Sequence, residues 1–142
     1  MMAKNQYNLF FIGFLSLIIV LLAPYGFHID LGPGPNNLMA ILWEYWTLSI
    51  IRWFTVLEYV PYYFFRFITI YYLIRYILDK ASLKKTIIMG IINELIPLII
   101  SIPAVLILNQ DGENYIPIVI PIPTLLVFHL SVVYTFYYLK KR

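Results

Sequence analysis

Hydrophobic residues along this chain are grouped into four long runs, separated by short polar or glycine- and proline-rich segments. A bilayer core is crossed by about 20 predominantly apolar helical residues. The pattern therefore predicts four membrane-spanning helices, which lie approximately at residues 7–24, 61–79, 86–108 and 116–139. Because no small-residue cleavage site follows the first run, we expect it to remain as an uncleaved signal-anchor.

The segment between the first two runs, residues 25–60, has a different character. It begins with glycines and prolines, including Gly32–Pro35, which do not sustain a helix and predict an external loop. All three tryptophans then fall between Leu38 and Val60 beside charged residues, a composition typical of a helix in the membrane interface. In an alternative topology, residues 38–57 form a fifth span that turns sharply before Pro61.

The predicted fold class is thus an all-α integral membrane protein, with an amphipathic, tryptophan-rich interfacial helix before the second span. It forms a single membrane domain over residues 1–142. Composition supports a hydrocarbon environment, because the chain is 62% hydrophobic and 12% charged with a mean hydropathy of +0.83. Soluble domains average about 45–50% apolar and about 25% charged residues. The chain has no cysteine, which excludes disulfides and thiolate metal sites.

The charged residues are distributed unequally between the two predicted sides of the membrane. The side holding both termini carries Lys4, Arg75, Lys80, Lys84, Lys85, Lys140, Lys141 and Arg142, against Asp79. The other side carries Asp30, Glu44, Glu58, Asp111 and Glu113, against Arg52. The positive-inside rule therefore places both termini in the cytoplasm and the chain in the cell membrane. Because the basic residues flank spans, they predict contact with lipid head groups and argue against nucleic acid as a partner.

Polar residues also follow one face when a helix is projected from Glu44 through Pro61 and beyond. This polar stripe consists of Glu44, Thr47, Arg52, Thr55, Glu58, Tyr62, Arg66 and Thr69. One hypothesis is that its outer half simply faces water. The other is that it lines a water-filled groove or meets a partner subunit.

Three predicted spans place ionisable side chains at a similar depth in the membrane. These residues are Arg66, Glu94 with Asn93 beside it, and His129. A charge at mid-membrane costs about 2.5–3.5 kcal/mol unless it is paired or hydrated, so pairing of Arg66 with Glu94 is expected. The cluster has three main interpretations: structural packing between spans, a proton or ion relay, and a set of polar groups that a partner protein completes. A catalytic site has weak support, since Ser101 and Ser131 are the only central nucleophile candidates, and a lone histidine predicts no metal site.

Prolines form a second recurring feature. Pro61, Pro97, Pro103, Pro121 and Pro123 are predicted helix breaks or kinks, because each removes a backbone donor and crowds the preceding turn. We expect the start of the last span to be extended or irregular for this reason.

The sequence favours a non-enzymatic function without a cofactor or metal. The hypothesis is an accessory or assembly subunit that packs against other membrane proteins through intramembrane polar contacts. The alternative is an oligomeric transporter or channel for protons, ions or small solutes that uses Glu94 and His129. The expected partners are the lipid bilayer and either another membrane protein or further copies of the chain.

Overall fold

The computed structural model describes residues 2–30, 36–46, 50–53, 60–110 and 117–141. The helices are α1 (Met2–Leu22), α2 (Val60–Ile77), α3 (Leu83–Gln110) and α4 (Thr124–Lys141). The strands are β1 (Gly26–Asp30), β2 (Asn37–Met39), β3 (Trp43–Trp46), β4 (Ile50–Trp53) and β5 (Pro117–Pro121).

The fold is mixed α and β, so the prediction of an all-α protein is wrong. The five strands form one sheet in the order β4-β3-β2-β1-β5, and all neighbouring strands are antiparallel. The interfacial helix predicted before the second span is not found among the described residues of that segment, which form β2, β3 and β4. Aromatic and β-branched residues, which dominate this stretch, favour a pleated sheet when neighbouring strands complete their hydrogen bonds.

The prediction of several membrane spans is also wrong. In the described ranges, one helical stretch is long and apolar enough to cross a membrane, Leu83–Pro103 of α3. The apolar part of α1, Leu9–Leu22, is too short by the same measure. In α2 and α4, many tyrosines and several basic residues replace aliphatic ones, which lowers their hydropathy. Each of the four helices overlaps one of the four hydrophobic runs, although the boundaries differ.

The predicted external loop is partly a strand. Residues 26–30 form β1, which pairs with β5 from Gly26 opposite Pro121 to Asp30 opposite Pro117. The expected extended start of the fourth run therefore exists as β5. The Gly32–Pro35 segment lies outside the described residues.

The helices pack side by side in a layer, and one end of this helical layer is hydrogen-bonded to the sheet. The backbone N–H of Leu42 donates to the carbonyl of Leu21 over 3.2 Å, and the Trp43 indole donates to the carbonyl of Leu22 over 2.8 Å. These bonds satisfy carbonyls that the end of α1 leaves free. Near the start of α4, the Ile122 N–H donates to the Tyr25 carbonyl over 3.0 Å. The last turn of α1 and the first turn of α4 therefore lie beside the sheet.

The opposite end of the layer holds the turn between α2 and α3. Asp79 adopts a left-handed conformation, with φ of 58°, and the Lys80 N–H donates back to the Arg75 carbonyl over 2.7 Å. This is the Schellman arrangement that closes a helix. The ammonium group of Lys140 on α4 donates to the Tyr76 carbonyl over 3.0 Å and pairs with Asp79. We call this the basic end. Its described charged residues are Arg75, Lys80, Lys84, Lys85, Lys140, Lys141 and Asp79.

Candidate functional site

The inward face of α3 carries polar and small residues, whereas its outward face carries large aliphatic ones. Buried positions recur every three or four residues, which places them on one side of the helix. In residues 83–103 the buried set is Thr86, Gly90, Asn93, Glu94, Pro97 and Ser101. The exposed aliphatic set is Ile88, Ile91, Ile92, Leu95, Leu98, Ile99 and Ile102.

The centre of the site is an ion pair between Arg66 of α2 and Glu94 of α3. Arg66 also donates to the Ile122 carbonyl over 2.8 Å and reaches the Pro24 carbonyl at 3.5 Å. Its guanidinium carbon lies 5.9 Å from the centre of the Tyr25 ring. A single buried cation therefore joins α2, α3 and the two chain segments that connect the helices to the sheet.

A second polar link joins the same two helices beside the ion pair. The side-chain amide of Asn93 donates to the hydroxyl of Thr69 over 3.1 Å, and both residues are buried. Thr69 is three residues beyond Arg66, and Asn93 directly precedes Glu94. The two links therefore fix the rotation of α2 and α3 relative to each other.

His129 of α4 makes its own contact on α3. Its Nε2 lies 3.1 Å from the Thr86 carbonyl, and because a carbonyl only accepts, Nε2 carries the proton and Nδ1 the free lone pair. The ring packs against Gly90, where a Cβ atom would lie 2.9 Å from the ring. Among the described residues His129 forms no hydrogen bond with Arg66 or Glu94. The predicted cluster is thus divided into an α2–α3 pair and an α3–α4 contact.

Ser101 ties α3 to the sheet, a role that the sequence analysis missed. Its hydroxyl donates to the Pro97 carbonyl over 2.7 Å and accepts the N–H of Val119 in β5 over 3.0 Å. The signal was available, since Ser101 lies seven residues beyond Glu94 and therefore on the same helical face. With both bonds made, this hydroxyl serves as a connector. We use the name buried polar cluster for Arg66, Thr69, Thr86, Asn93, Glu94, Ser101 and His129.

Two buried atoms of the cluster remain without a hydrogen-bond partner among the described residues. They are Oε2 of Glu94 and Nδ1 of His129. Both are acceptors, and each belongs to a side chain whose other polar atom is bonded.

The predicted polar stripe does not exist as one helical face. Glu44 and Arg52 lie opposite each other on β3 and β4, where side chains alternate between two faces, so the helical projection does not apply. Glu44 is buried and accepts the Asn37 amide over 2.8 Å. The stripe residues on α2 are Tyr62, Arg66 and Thr69, and the outlying members Thr47, Thr55 and Glu58 lie outside the described residues.

Pro61, Pro121 and Pro123 lie at the ends of elements, as expected of helix breaks, whereas Pro97 and Pro103 lie inside α3. Pro61 occupies the first turn of α2, where its missing N–H has no helical partner to lose. Helix α3 continues through both Pro97 and Pro103, so neither ends it. Pro121 ends β5, and Pro123 precedes the first residue of α4.

The described side chains of this site supply charged groups and hydrogen-bond donors and acceptors. In the described part of the chain, no group of three histidine, aspartate or glutamate side chains is arranged to hold a metal ion. The hydroxyl of Ser101 is bonded to the Pro97 carbonyl, the Val119 N–H and the Tyr62 side chain. Comparison with protein-family models, curated proteins and solved structures gives no match for this chain.

Proposed function

We propose that this protein is a non-enzymatic accessory component of a membrane, anchored by α3. In this proposal the ion pair and hydrogen bonds of the buried polar cluster hold α2, α3, α4 and the sheet together. The exposed aliphatic face of α3 lies in lipid hydrocarbon.

The observation that carries the proposal is the inverted polarity of α3. A helix on the surface of a water-soluble protein buries its apolar side and exposes its polar side. Here six of the 21 residues of the apolar stretch Leu83–Pro103 are buried, and the buried positions hold the polar and small residues. Helices packed within lipid have this distribution, because small and polar residues serve helix contacts while large aliphatic residues face acyl chains.

Exposed apolar side chains are found on other helices as well as on α3. This distribution favours lipid as their environment, because lipid surrounds a protein, whereas one bound partner would cover a single patch. On α1, Phe10 is 76% exposed and Phe11 is 63% exposed, and on α4 Val127 is 62% exposed. Contiguous apolar patches above a few hundred Å² are rare on soluble monomers.

The basic end supports a position of this end of the protein at the head-group level on the cytoplasmic face of the membrane. Helix α1 begins and α4 ends on this side of the layer, where lysines pair with tyrosine rings. The ammonium groups of Lys85 and Lys141 lie 5.3 Å and 4.6 Å from the rings of Tyr72 and Tyr137. Tyrosine at the head-group level and lysine on the cytoplasmic side are typical of membrane proteins.

The contacts made by the charged groups of the cluster support the proposed accessory role. Arg66 and Glu94 bond to each other, and Arg66 also bonds to the Ile122 carbonyl. In this proposal both side chains stabilise the fold and do not bind a substrate. Contact with other membrane proteins, or with further copies of the chain, would then use the exposed apolar faces. Cross-linking in native membranes followed by mass spectrometry identifies such neighbours.

The membrane proposal is tested by one substitution made at two matched positions. Leu95 on α3 and Leu78 beside the basic end are each 44% exposed. An arginine in mid-membrane costs about 2.5–3.5 kcal/mol, whereas a substitution on a hydrated surface usually changes stability by less than about 0.5 kcal/mol. We expect Leu95→Arg to reduce flotation of the full chain with phosphatidylcholine vesicles strongly, and Leu78→Arg to leave it unchanged.

If the wild-type chain stays in the aqueous fraction, or if Leu95→Arg floats as well as Leu78→Arg, the α3 face is not in lipid.

A second candidate function is a proton relay through the cluster, favoured by the two unpartnered acceptors on Glu94 and His129. This hypothesis predicts proton flux in vesicles containing the wild-type protein and loss of that flux in Glu94→Gln. Absence of flux in the wild type, measured on protein whose circular dichroism is native, contradicts it.

A further inference from the structure

The two edges of the sheet differ in the backbone groups that they present. The edge strands are β4 and β5, because the strand order is β4-β3-β2-β1-β5. An edge strand carries backbone donors and acceptors that can pair with a strand of another chain. Two features close β5 to such pairing, and β4 has neither of them among the described residues.

The outer edge of β5 is closed by prolines and by α3. The N–H of Val119 donates to the Ser101 hydroxyl over 3.0 Å, so it points away from β1. Alternate residues of a strand direct their backbone groups to the same side, which places Pro117 and Pro121 on the outer side with Val119. Proline has no N–H to donate. Each outward position of β5 therefore either lacks an N–H or has it bonded already.

The edge formed by β4 is different. This strand contains no proline, and among the described residues it pairs with β3 alone. About half of its backbone N–H and C=O groups are therefore directed away from β3. A charged residue commonly protects an edge strand, and β4 has Arg52. However, Arg52 lies directly opposite Glu44 on β3, so these two strands together carry no net charge.

We propose that β4 pairs antiparallel with β4 of a second copy of the chain, which joins the two sheets across a two-fold axis. An identical strand fits this edge, because antiparallel pairing about a two-fold axis is self-complementary: the donor and acceptor of each residue meet those of its counterpart. The inference does not depend on the membrane proposal. It adds a contact at the sheet edge to those that the exposed apolar faces provide.

The charges select the register of this pairing. Residues directly opposite in a ladder share a face of the sheet, so the axis is centred on one residue and its counterpart. A pairing centred on Arg52 would place two arginines opposite each other, which is destabilising. A pairing centred on Ile51 places Ile51 opposite its counterpart and Ile50 opposite Arg52 of the second copy. The expected register is therefore the one centred on Ile51.

Single cysteines test this pairing directly, because the natural chain has none. Opposite Cα atoms in an antiparallel pair lie about 4.5–5.5 Å apart, a distance that a disulfide bridges. We expect Ile51→Cys to become a disulfide-linked dimer in most molecules when the purified full chain is oxidised with copper phenanthroline in detergent micelles. Sedimentation equilibrium of the wild type in the same micelles should give the mass of a dimer.

Three matched variants place the cysteine elsewhere in the sheet. Tyr45 lies opposite Ile51 on β3, so the cysteines of two Tyr45→Cys chains would be three strand spacings apart, about 14 Å. Those of Arg52→Cys would be about 8 Å apart in the expected register, beyond the limit of about 7 Å for a disulfide. Ile120 is 45% exposed on β5, the closed edge. We expect all three variants to remain largely monomeric in non-reducing denaturing electrophoresis.

A dimeric mass of the wild type, with cross-linking confined to position 51, supports the inference. A monomeric mass of the wild type overturns it, as does cross-linking of Tyr45→Cys or Ile120→Cys that equals that of Ile51→Cys. Cross-linking that is strongest in Arg52→Cys also overturns it, since the strands would then pair in the register that the charges disfavour. Flotation with vesicles is measured separately, so failure of this inference and failure of the proposed function are distinguishable.

Discussion

Arg66 and Glu94 form an ion pair across the α2–α3 interface with only 1% and 4% of their surfaces accessible. The pair lies beside the sheet, because Arg66 also bonds to the Ile122 carbonyl. Removing both charges from water is costly, and the contact offsets that cost only while both partners are present. The pair therefore makes the packing of the helical layer dependent on each of two residues.

The first prediction concerns this dependence. Glu94→Gln leaves the buried guanidinium without its counter-charge and should lower the free energy of unfolding by about 3–5 kcal/mol. Arg66→Met combined with Glu94→Met removes both charges and should cost less than Glu94→Gln alone. Unfolding in mixed micelles, followed by circular dichroism, measures both. A double variant as unstable as the single one would show that the pair is not coupled.

The second prediction concerns the contact of His129 with Gly90. In Gly90→Ala the new Cβ would lie 2.9 Å from the His129 ring, so the ring must move, at a cost of about 1–3 kcal/mol. Gly13→Ala on α1 is the matched control, since its nearest neighbour, Ile74, is 4.0 Å away. There the helix-favouring alanine should stabilise the protein by about 0.5–1 kcal/mol. If Gly90→Ala and Gly13→Ala both raise or both lower the melting temperature, the packing of His129 against Gly90 is contradicted.

The third prediction concerns the link from α3 to the sheet. Ser101→Ala removes the acceptor of the Val119 N–H and should cost about 1–3 kcal/mol, the penalty for a buried donor left unpaired. Hydrogen exchange at Val119 should accelerate. Ser131→Ala is the control, because Ser131 also bonds to a carbonyl one turn earlier but is exposed. If hydrogen exchange at the Val119 N–H is unchanged in Ser101→Ala, Ser101 does not connect α3 to the sheet.

The fourth prediction isolates backbone strain at the basic end. Asp79→Gly and Asp79→Ala both lose the pairing with Lys140, but only alanine retains a Cβ at the left-handed φ of 58°. The glycine variant should therefore be more stable than the alanine variant by about 1–2 kcal/mol in thermal unfolding. Equal stabilities would mean that the turn adopts another conformation in solution.

The long hydrophobic runs indicate where α1, α2, α3 and α4 lie, although α4 begins at Thr124 and the first part of the predicted fourth span is β5. The sequence also places Arg66 and Glu94 at similar depth, since both depths follow from counting residues to the basic end. It does not predict the Ile122 and Pro24 carbonyls as further partners of Arg66, because these lie in the segments that meet the sheet. Sequence spacing carries no information about such tertiary contacts.

The strands were missed for a physical reason. Trp43–Trp46 and Ile50–Trp53 are short, aromatic and β-branched, and short apolar segments of this kind resemble buried helix as much as buried strand. The helical projection from Glu44 then aligned polar residues that in fact lie on separate strands. These strands become favourable only as part of the whole sheet, in which β1 pairs with β5, a strand far from β1 in the sequence.

The most direct measurement of the central claim is the environment of Leu95. The chain has no cysteine, so Leu95→Cys and Lys80→Cys each give one labelling site for a fluorophore. In reconstituted vesicles, we expect the label at position 95 to be quenched by spin labels on the acyl chains and protected from aqueous iodide. The label at position 80 should behave in the opposite way. Quenching of the position-95 label by iodide, with no effect of the acyl-chain spin labels, would contradict the account.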